Sequence, residues 1–143
     1  MTDLSKKSLF DRADKHEGAL IKTQSASINA TTAALNLGQS DINDAALGLT
    51  VAAKSAVLGI EIETTAGFDV AAAVINGLKI GGTSVLPDGV SHNAAAAAIT
   101  SFAVMRGFAA DAAVTIDVDA GANWDTASQG NVTIKLYTAA DAA

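Results

Sequence analysis

Residues 58–85 constrain the fold of this chain more than any other stretch. From Leu58 to Glu63 apolar residues alternate with glycine or glutamate, which is the period-two pattern of a β-strand with one buried face. A second apolar run, over residues 68–75, leads into Asn76-Gly77 and then Leu78. Because a type I′ turn needs positive φ at both central residues, Asn-Gly between apolar runs predicts a β-hairpin.

Further alternating runs follow the same pattern in the rest of the chain. Alternation recurs over residues 47–51, 99–108, 114–119 and 132–137, and Pro87-Asp88-Gly89 predicts a turn. Short strands separated by turn signals are typical of antiparallel sandwiches and jelly rolls. The sequence therefore predicts an all-β fold, an antiparallel β-sandwich or jelly-roll-like domain, over residues 45–143.

Residues 1–44 are predicted to form an N-terminal arm. Residues 1–22 are rich in charge, and Leu9, Ala13, His16 and Leu20 share one face at helical spacing. They form either a short helix that lies on its own domain or an arm that becomes ordered on a partner. Residues 23–44 are small and polar and are predicted to be an extended linker or a surface-hugging segment.

The arm also supplies the candidate partner contacts. Leu4, Leu9 and Phe10 are expected to contact a neighbouring molecule, because nothing in the short arm could bury them. Arg12 is assigned to the same contact surface.

Composition excludes several classes of partner. The net charge is -6 and the sequence pI is about 4.6, which disfavours binding to a nucleic-acid backbone or to an anionic membrane surface. No cysteine is present, so neither a disulfide nor a thiolate metal site is possible. Aromatic residues make up only 4% of the chain, so small aliphatic side chains must fill the core. Such a core gains from burial against neighbours, which favours a homo-oligomer.

An acidic loop is the closest match to a metal site. Asp117, Asp119 and Asp125 have the spacing of calcium ligands, but an EF-hand loop needs glycine where Ala122 stands and glutamate where Ser128 stands. The loop fails at both positions, and acids on the outer face of a strand are usually solvated. We therefore predict no metal site and no cofactor.

No set of residues predicts catalysis. His16 and His92 are the only histidines, and neither has a second ligand at metal-binding spacing, so both are predicted to lie on the surface. Glu61 and Glu63 could form a carboxylate pair, but a solvated face or a charged strand edge is the more common role. The sequence predicts that the protein is not an enzyme.

Trp124, the only tryptophan, lies in a polar loop over residues 120–131. An exposed aromatic ring there could stack on a sugar or anchor a protein interface. Alternatively, the ring caps one end of the sandwich. The first interpretation predicts a non-catalytic binding module for a carbohydrate or a receptor.

Two stretches resemble virion proteins of tailed bacteriophages. They are residues 73–85, Ala-Val-Ile-Asn-Gly-Leu-Lys-Ile-Gly-Gly-Thr-Ser-Val, and residues 114–121, Val-Thr-Ile-Asp-Val-Asp-Ala-Gly. A charged arm before a small cysteine-free β-domain is similar to capsid cement, or decoration, proteins. That resemblance implies a dimer or trimer on the capsid surface, made in the host cytoplasm, that bridges subunits of the major capsid protein and stabilises the shell. It implies no catalytic residues.

Overall fold

The structure, a computed structural model, describes residues 21–32, 39–70, 72–119 and 123–140. The strands in these ranges are β1 (Ile21–Asn29), β2 (Asp41–Val51), β3 (Ser55–Ala66), β4 (Val74–Ile80), β5 (Thr83–Ser84), β6 (His92–Asn93), β7 (Ala98–Phe108), β8 (Ala112–Asp119) and β9 (Asn131–Ala140). A 3-10 turn, Trp124–Thr126, lies between β8 and β9. Within these ranges no helix has the length and apolar character to cross a membrane.

The strands form two antiparallel sheets. The first sheet has the order β1-β9-β3-β7, and the second has the order β2-β8-β4-β5 with β6 also paired to β4. The predicted all-β antiparallel sandwich is thereby confirmed. The predicted helix within residues 1–22 falls almost entirely outside the described residues, whose first strand begins at Ile21.

The core lies between the two sheets and consists mainly of aliphatic side chains. The predicted alternation is confirmed over residues 114–119 of β8 and 132–137 of β9, where every second residue is at most 1% exposed, namely Val114, Ile116, Val118, Val132, Ile134 and Leu136. Burial of each such side chain stabilises the fold by about 1.5–3 kcal/mol. β9 therefore supplies a row of core side chains to the first sheet, and β8 supplies one to the second.

A β-bulge interrupts the predicted alternation in β3. Ile60 and Ile62 are buried as predicted, but Val57 is also buried and Leu58 is only partly buried. The register with both β7 and β9 shifts between Val57 and Gly59. The extra residue turns Leu58 out of the core, so the prediction that it shares a face with Ile60 is wrong.

The predicted Asn76-Gly77 hairpin is also wrong. Both residues lie inside β4, where the register with β8 shifts between Ile75 and Gly77. The two-residue hairpin turn is Gly81-Gly82, which joins β4 to β5 with φ of +60° and +79°. Positive φ at both positions is the requirement of a type I′ turn, and two glycines meet it without a steric cost.

The first sheet begins earlier in the chain than predicted. Residues 21–29, mostly assigned to an extended linker, form β1 and pair with β9 along their whole length. Ile28 is the one side chain of β1 that is fully buried. Because β1 is a polar edge strand held mainly by its backbone ladder, the apolar pattern that predicts a strand is missing from its sequence.

Candidate functional site

The predicted contact residues of the arm, Leu4, Leu9, Phe10 and Arg12, lie outside the described residues, as does His16. Contact between the arm and a partner stays a prediction. The remaining candidates lie within the sandwich and its loops.

Trp124 is a core residue. Its side chain is 1% exposed, and its ring meets the ring of Phe68 edge to face, with centroids 5.1 Å apart. Its backbone N–H donates to the Gln39 carbonyl at 3.1 Å. The ring therefore caps the sandwich and offers no exposed face to a sugar or a protein.

The loop that carries Trp124 is tied to the segment before β4. The carboxylate of Asp69 accepts hydrogen bonds from the Ser128 N–H at 2.9 Å, the Gln129 N–H at 3.3 Å and the Ser128 hydroxyl. These bonds, led by the one from the Ser128 hydroxyl, lower the pKa of Asp69. The loop is thus held as part of the fold.

His92 is buried, so the prediction of a surface histidine is wrong. Its side chain is 0% exposed and lies between the hydroxyls of Thr64 and Thr100, at 2.6 Å from Nε2 and 2.8 Å from Nδ1. Burial lowers the pKa of His92, so the ring is neutral near pH 7. A single histidine in an irregular stretch carries no sequence signal for this burial.

The predicted acidic loop does not form a group of metal ligands in the described part of the chain. Asp117 lies on β8, where its Oδ1 accepts the Asp44 N–H at 2.8 Å and its Oδ2 is 3.6 Å from Lys79 Nζ. Lys79 also forms an ion pair with Asp44 at 2.9 Å, and the hydrogen bond to Asp44, followed by the charge of Asp117, raises the pKa of Lys79. These carboxylates are therefore engaged with a lysine and a backbone N–H.

Glu61 and Glu63 lie on an inner strand. β3 pairs with β9 on one side and β7 on the other, so neither glutamate protects a sheet edge. Glu61 lies opposite Ser101 and Lys135, and Glu63 lies opposite Ile99 and Thr133. Both are part of the outer face of the first sheet.

Among the described residues, the most exposed large apolar side chains lie on β7, a feature that the sequence did not predict. Ile99 is 65% exposed and Met105 is 73% exposed. An open groove of about 270 Å³ lies between residues 103–106 of this strand and residues 84–85. A second groove of about 300 Å³, on the outer face of the sheet, reaches from Ser101 to Tyr137. The strongest candidate for a contact surface is therefore β7.

Comparison with known proteins finds likenesses among solved structures. No protein-family model matches the chain, and no curated protein matches it. Among solved structures the chain is similar to a chain of the "Cyanophage Pam1 capsid asymmetric unit", with 19% identity over 85% of each chain and a TM-score of 0.49.

Proposed function

We propose that this protein is a structural component of a tailed-bacteriophage virion. In this role it binds the outside of the capsid as a homo-oligomer and bridges neighbouring subunits of the major capsid protein. Its contribution is buried interface area, which holds the expanded shell together, and not catalysis. It is made in the host cytoplasm and acts in the virion.

The observation that carries this proposal is that the two phage-like stretches fold as neighbours. Residues 74–80 form β4 and residues 112–119 form β8, and the two strands pair in the middle of the second sheet. The two strands also pack closely where Gly77 of β4 lies against Asp117 of β8, because the Asp117 carboxylate occupies the space that a side chain at Gly77 would need. The resemblance therefore describes one structural unit of the fold and not two unrelated strands.

The exposed surface of β7 supports an interaction role. Ile99 and Met105 remain largely in solvent while the interior of the sandwich is closely filled with aliphatic side chains. Both side chains lie on an edge strand, whose unpaired backbone groups can pair with another chain.

The alternative is a carbohydrate or receptor module that binds through Trp124, but this side chain is buried. The Trp124 ring would have to leave its contact with Phe68 and the core before it could stack on a ligand. We therefore do not favour a binding role for this loop.

Heat-induced release of DNA from capsids tests the stabilising role. Full capsids that lack the protein are titrated with it, and DNA release is followed by the fluorescence of an intercalating dye as temperature rises. The proposal predicts that the release midpoint rises and levels off at a fixed ratio of protein to capsid subunits. An unrelated acidic protein of similar mass serves as the control. An unchanged midpoint at saturating protein would contradict the stabilising role.

A further inference from the structure

The free edge of β7 is the feature from which we argue. β7 is the last strand of the first sheet in the described part of the chain and pairs there with β3 alone. Natural proteins usually protect such edges with lysine, proline or inward-pointing charges. Residues 98–105 contain no charged residue and no proline. This edge is therefore open to pairing with another strand over residues 98–104, as far as the bulge at Met105.

At the other edge of the same sheet the sequence is different. β1 carries Lys22, and six of its nine residues have polar or charged side chains. Both edge strands contact the second sheet, β1 through β2 and β7 through the short β6. Its one exposed large apolar residue, Ile21, is 44% exposed and lies at the very end of the strand.

Residues along β7 are arranged so that the strand complements itself. Ile99 and Met105 lie three positions on either side of Phe102. In an antiparallel pair of two β7 strands with a two-fold axis at Phe102, Ile99 of each copy lies opposite Met105 of the other. Residues 99 and 105 flank the regular ladder of residues 100–104, and long side chains reach diagonal neighbours about 7–8 Å apart, so these exposed side chains would contact each other.

The centre and ends of the same register are also compatible with close approach. Ser101 of one copy lies opposite Ala103 of the other, and both side chains are small. Arg106 lies beyond the Met105 bulge, outside the regular ladder, and the two arginines lie at opposite ends of the paired stretch. The Met105 bulge, with φ of +52°, ends regular pairing at that position.

We propose that β7 pairs with β7 of a second copy of this chain, in antiparallel register about Phe102, to give a two-fold dimer with one continuous eight-stranded sheet. The self-complementary positions of Ile99 and Met105, on an edge without charge up to Met105, support a second copy as the occupant. A chain of net charge -6 repels itself elsewhere, and this uncharged stretch is where two copies can approach. The inference deepens the proposed self-association and does not depend on capsid binding.

Sedimentation equilibrium of the full chain without capsid tests this dimer. Wild-type protein should dimerise, and Ile99→Lys and Met105→Asn should each weaken the dimer on the order of tenfold or more. Met105→Asn is informative because asparagine tolerates positive φ better than methionine, so the fold should gain stability while the dimer weakens. Ile21→Lys, on the opposite edge, is the matched control and should leave the dimer unchanged.

Cysteine cross-linking tests the register. Because the natural chain has no cysteine, introduced thiols are the only ones present. Ser101→Cys mixed with Ala103→Cys should give a mixed disulfide dimer under mild oxidation, because these positions face each other. Ser101→Cys alone should cross-link poorly, because its two copies are diagonal, about 7–8 Å apart.

Three results would overturn the inference. The first is a monomer at all micromolar concentrations. The second is a dimer that Ile21→Lys weakens as much as Ile99→Lys does, and the third is equal cross-linking of Ser101→Cys with itself. Capsid binding by a protein that proves monomeric would refute the dimer and leave the virion role standing.

Discussion

The Nε2 atom of His92 lies 2.6 Å from the hydroxyl oxygen of Thr64, and this bond joins the two sheets of the sandwich. The Thr64 hydroxyl donates its own proton to the Asn93 carbonyl at 2.8 Å, so Nε2–H must be the donor to Thr64. Nδ1 then accepts the proton of the Thr100 hydroxyl at 2.8 Å. The network thus selects a neutral imidazole that is protonated at Nε2.

This network predicts that the protein loses stability as it is acidified from neutral pH. Burial places the pKa of His92 below its ordinary value of 6.5, so the unfolded chain takes up the proton first. The free energy of unfolding should be independent of His92 at pH 7–8 and should fall below about pH 6.5, by up to about 1.4 kcal/mol per pH unit. Urea denaturation at pH 8, 7, 6 and 5.5 measures this dependence.

His16, the only other histidine, provides the control for that experiment. His16→Gln should keep the loss of stability between pH 8 and pH 5.5, whereas His92→Gln should remove most of it. His92→Gln should also cost about 1–3 kcal/mol at pH 8, because the threonine hydroxyls lose part of their hydrogen bonding in the core. Identical pH profiles for the two variants would contradict a buried, neutral His92.

Gly77→Ala should destabilise the fold. A Cβ at this position would collide with the carboxylate and Cβ of Asp117, which is itself held by the Asp44 N–H and Lys79. Displacing Asp117 should cost about 1–3 kcal/mol in the free energy of unfolding. Gly107→Ala is the matched control, because nothing lies within 4 Å of the added Cβ and its φ is not positive. Equal urea midpoints for the two variants would show that Asp117 moves aside freely.

Asp117→Asn and Asp117→Ala should separate the charge of Asp117 from its hydrogen bond. Asparagine retains an oxygen that can accept the Asp44 N–H, so Asp117→Asn loses mainly the attraction to Lys79, which is weak at a solvated site. Asp117→Ala also leaves the Asp44 N–H without this acceptor, which should cost about 0.5–1.5 kcal/mol more. Urea denaturation at low and high salt measures both effects, and only the charge effect should shrink in salt.

Trp124→Ala should lower the free energy of unfolding and should not alter an exposed binding surface. Loss of a buried tryptophan side chain should cost about 3–5 kcal/mol. As the only tryptophan, Trp124 also reports on its own burial. Its emission in the native protein should be blue-shifted and poorly quenched by iodide, and both properties should disappear in urea. Native emission like that of free tryptophan would reopen the carbohydrate or receptor alternative.

Strands were predictable from the sequence where one face is apolar and the register is regular. β8 and β9 meet both conditions, and their buried residues follow directly from alternation. β1 does not, because its stability comes from backbone pairing with β9, which polar side chains do not reveal. The prediction of a turn at Asn76-Gly77 is wrong because glycine occurs at β-bulges as well as in turns, and Gly77 lies at a bulge beside Asp117. Local sequence cannot distinguish these two uses.

The candidate surface was less predictable than the fold. The exposure of Ile99 and Met105 depends on β7 lying at the edge of its sheet, and strand order is a property of the whole chain. The burial of His92 and Trp124 has the same origin, since each is enclosed by residues distant in sequence.

Co-sedimentation with expanded, empty capsids assembled from the major capsid protein of the same source genome tests the virion role most directly. We predict saturable pelleting at a fixed ratio to capsid subunits. Deletion of residues 1–20, which leaves β1 intact, should weaken it through loss of Leu4, Leu9, Phe10 and Arg12. Absence of pelleting at micromolar protein would contradict the capsid role.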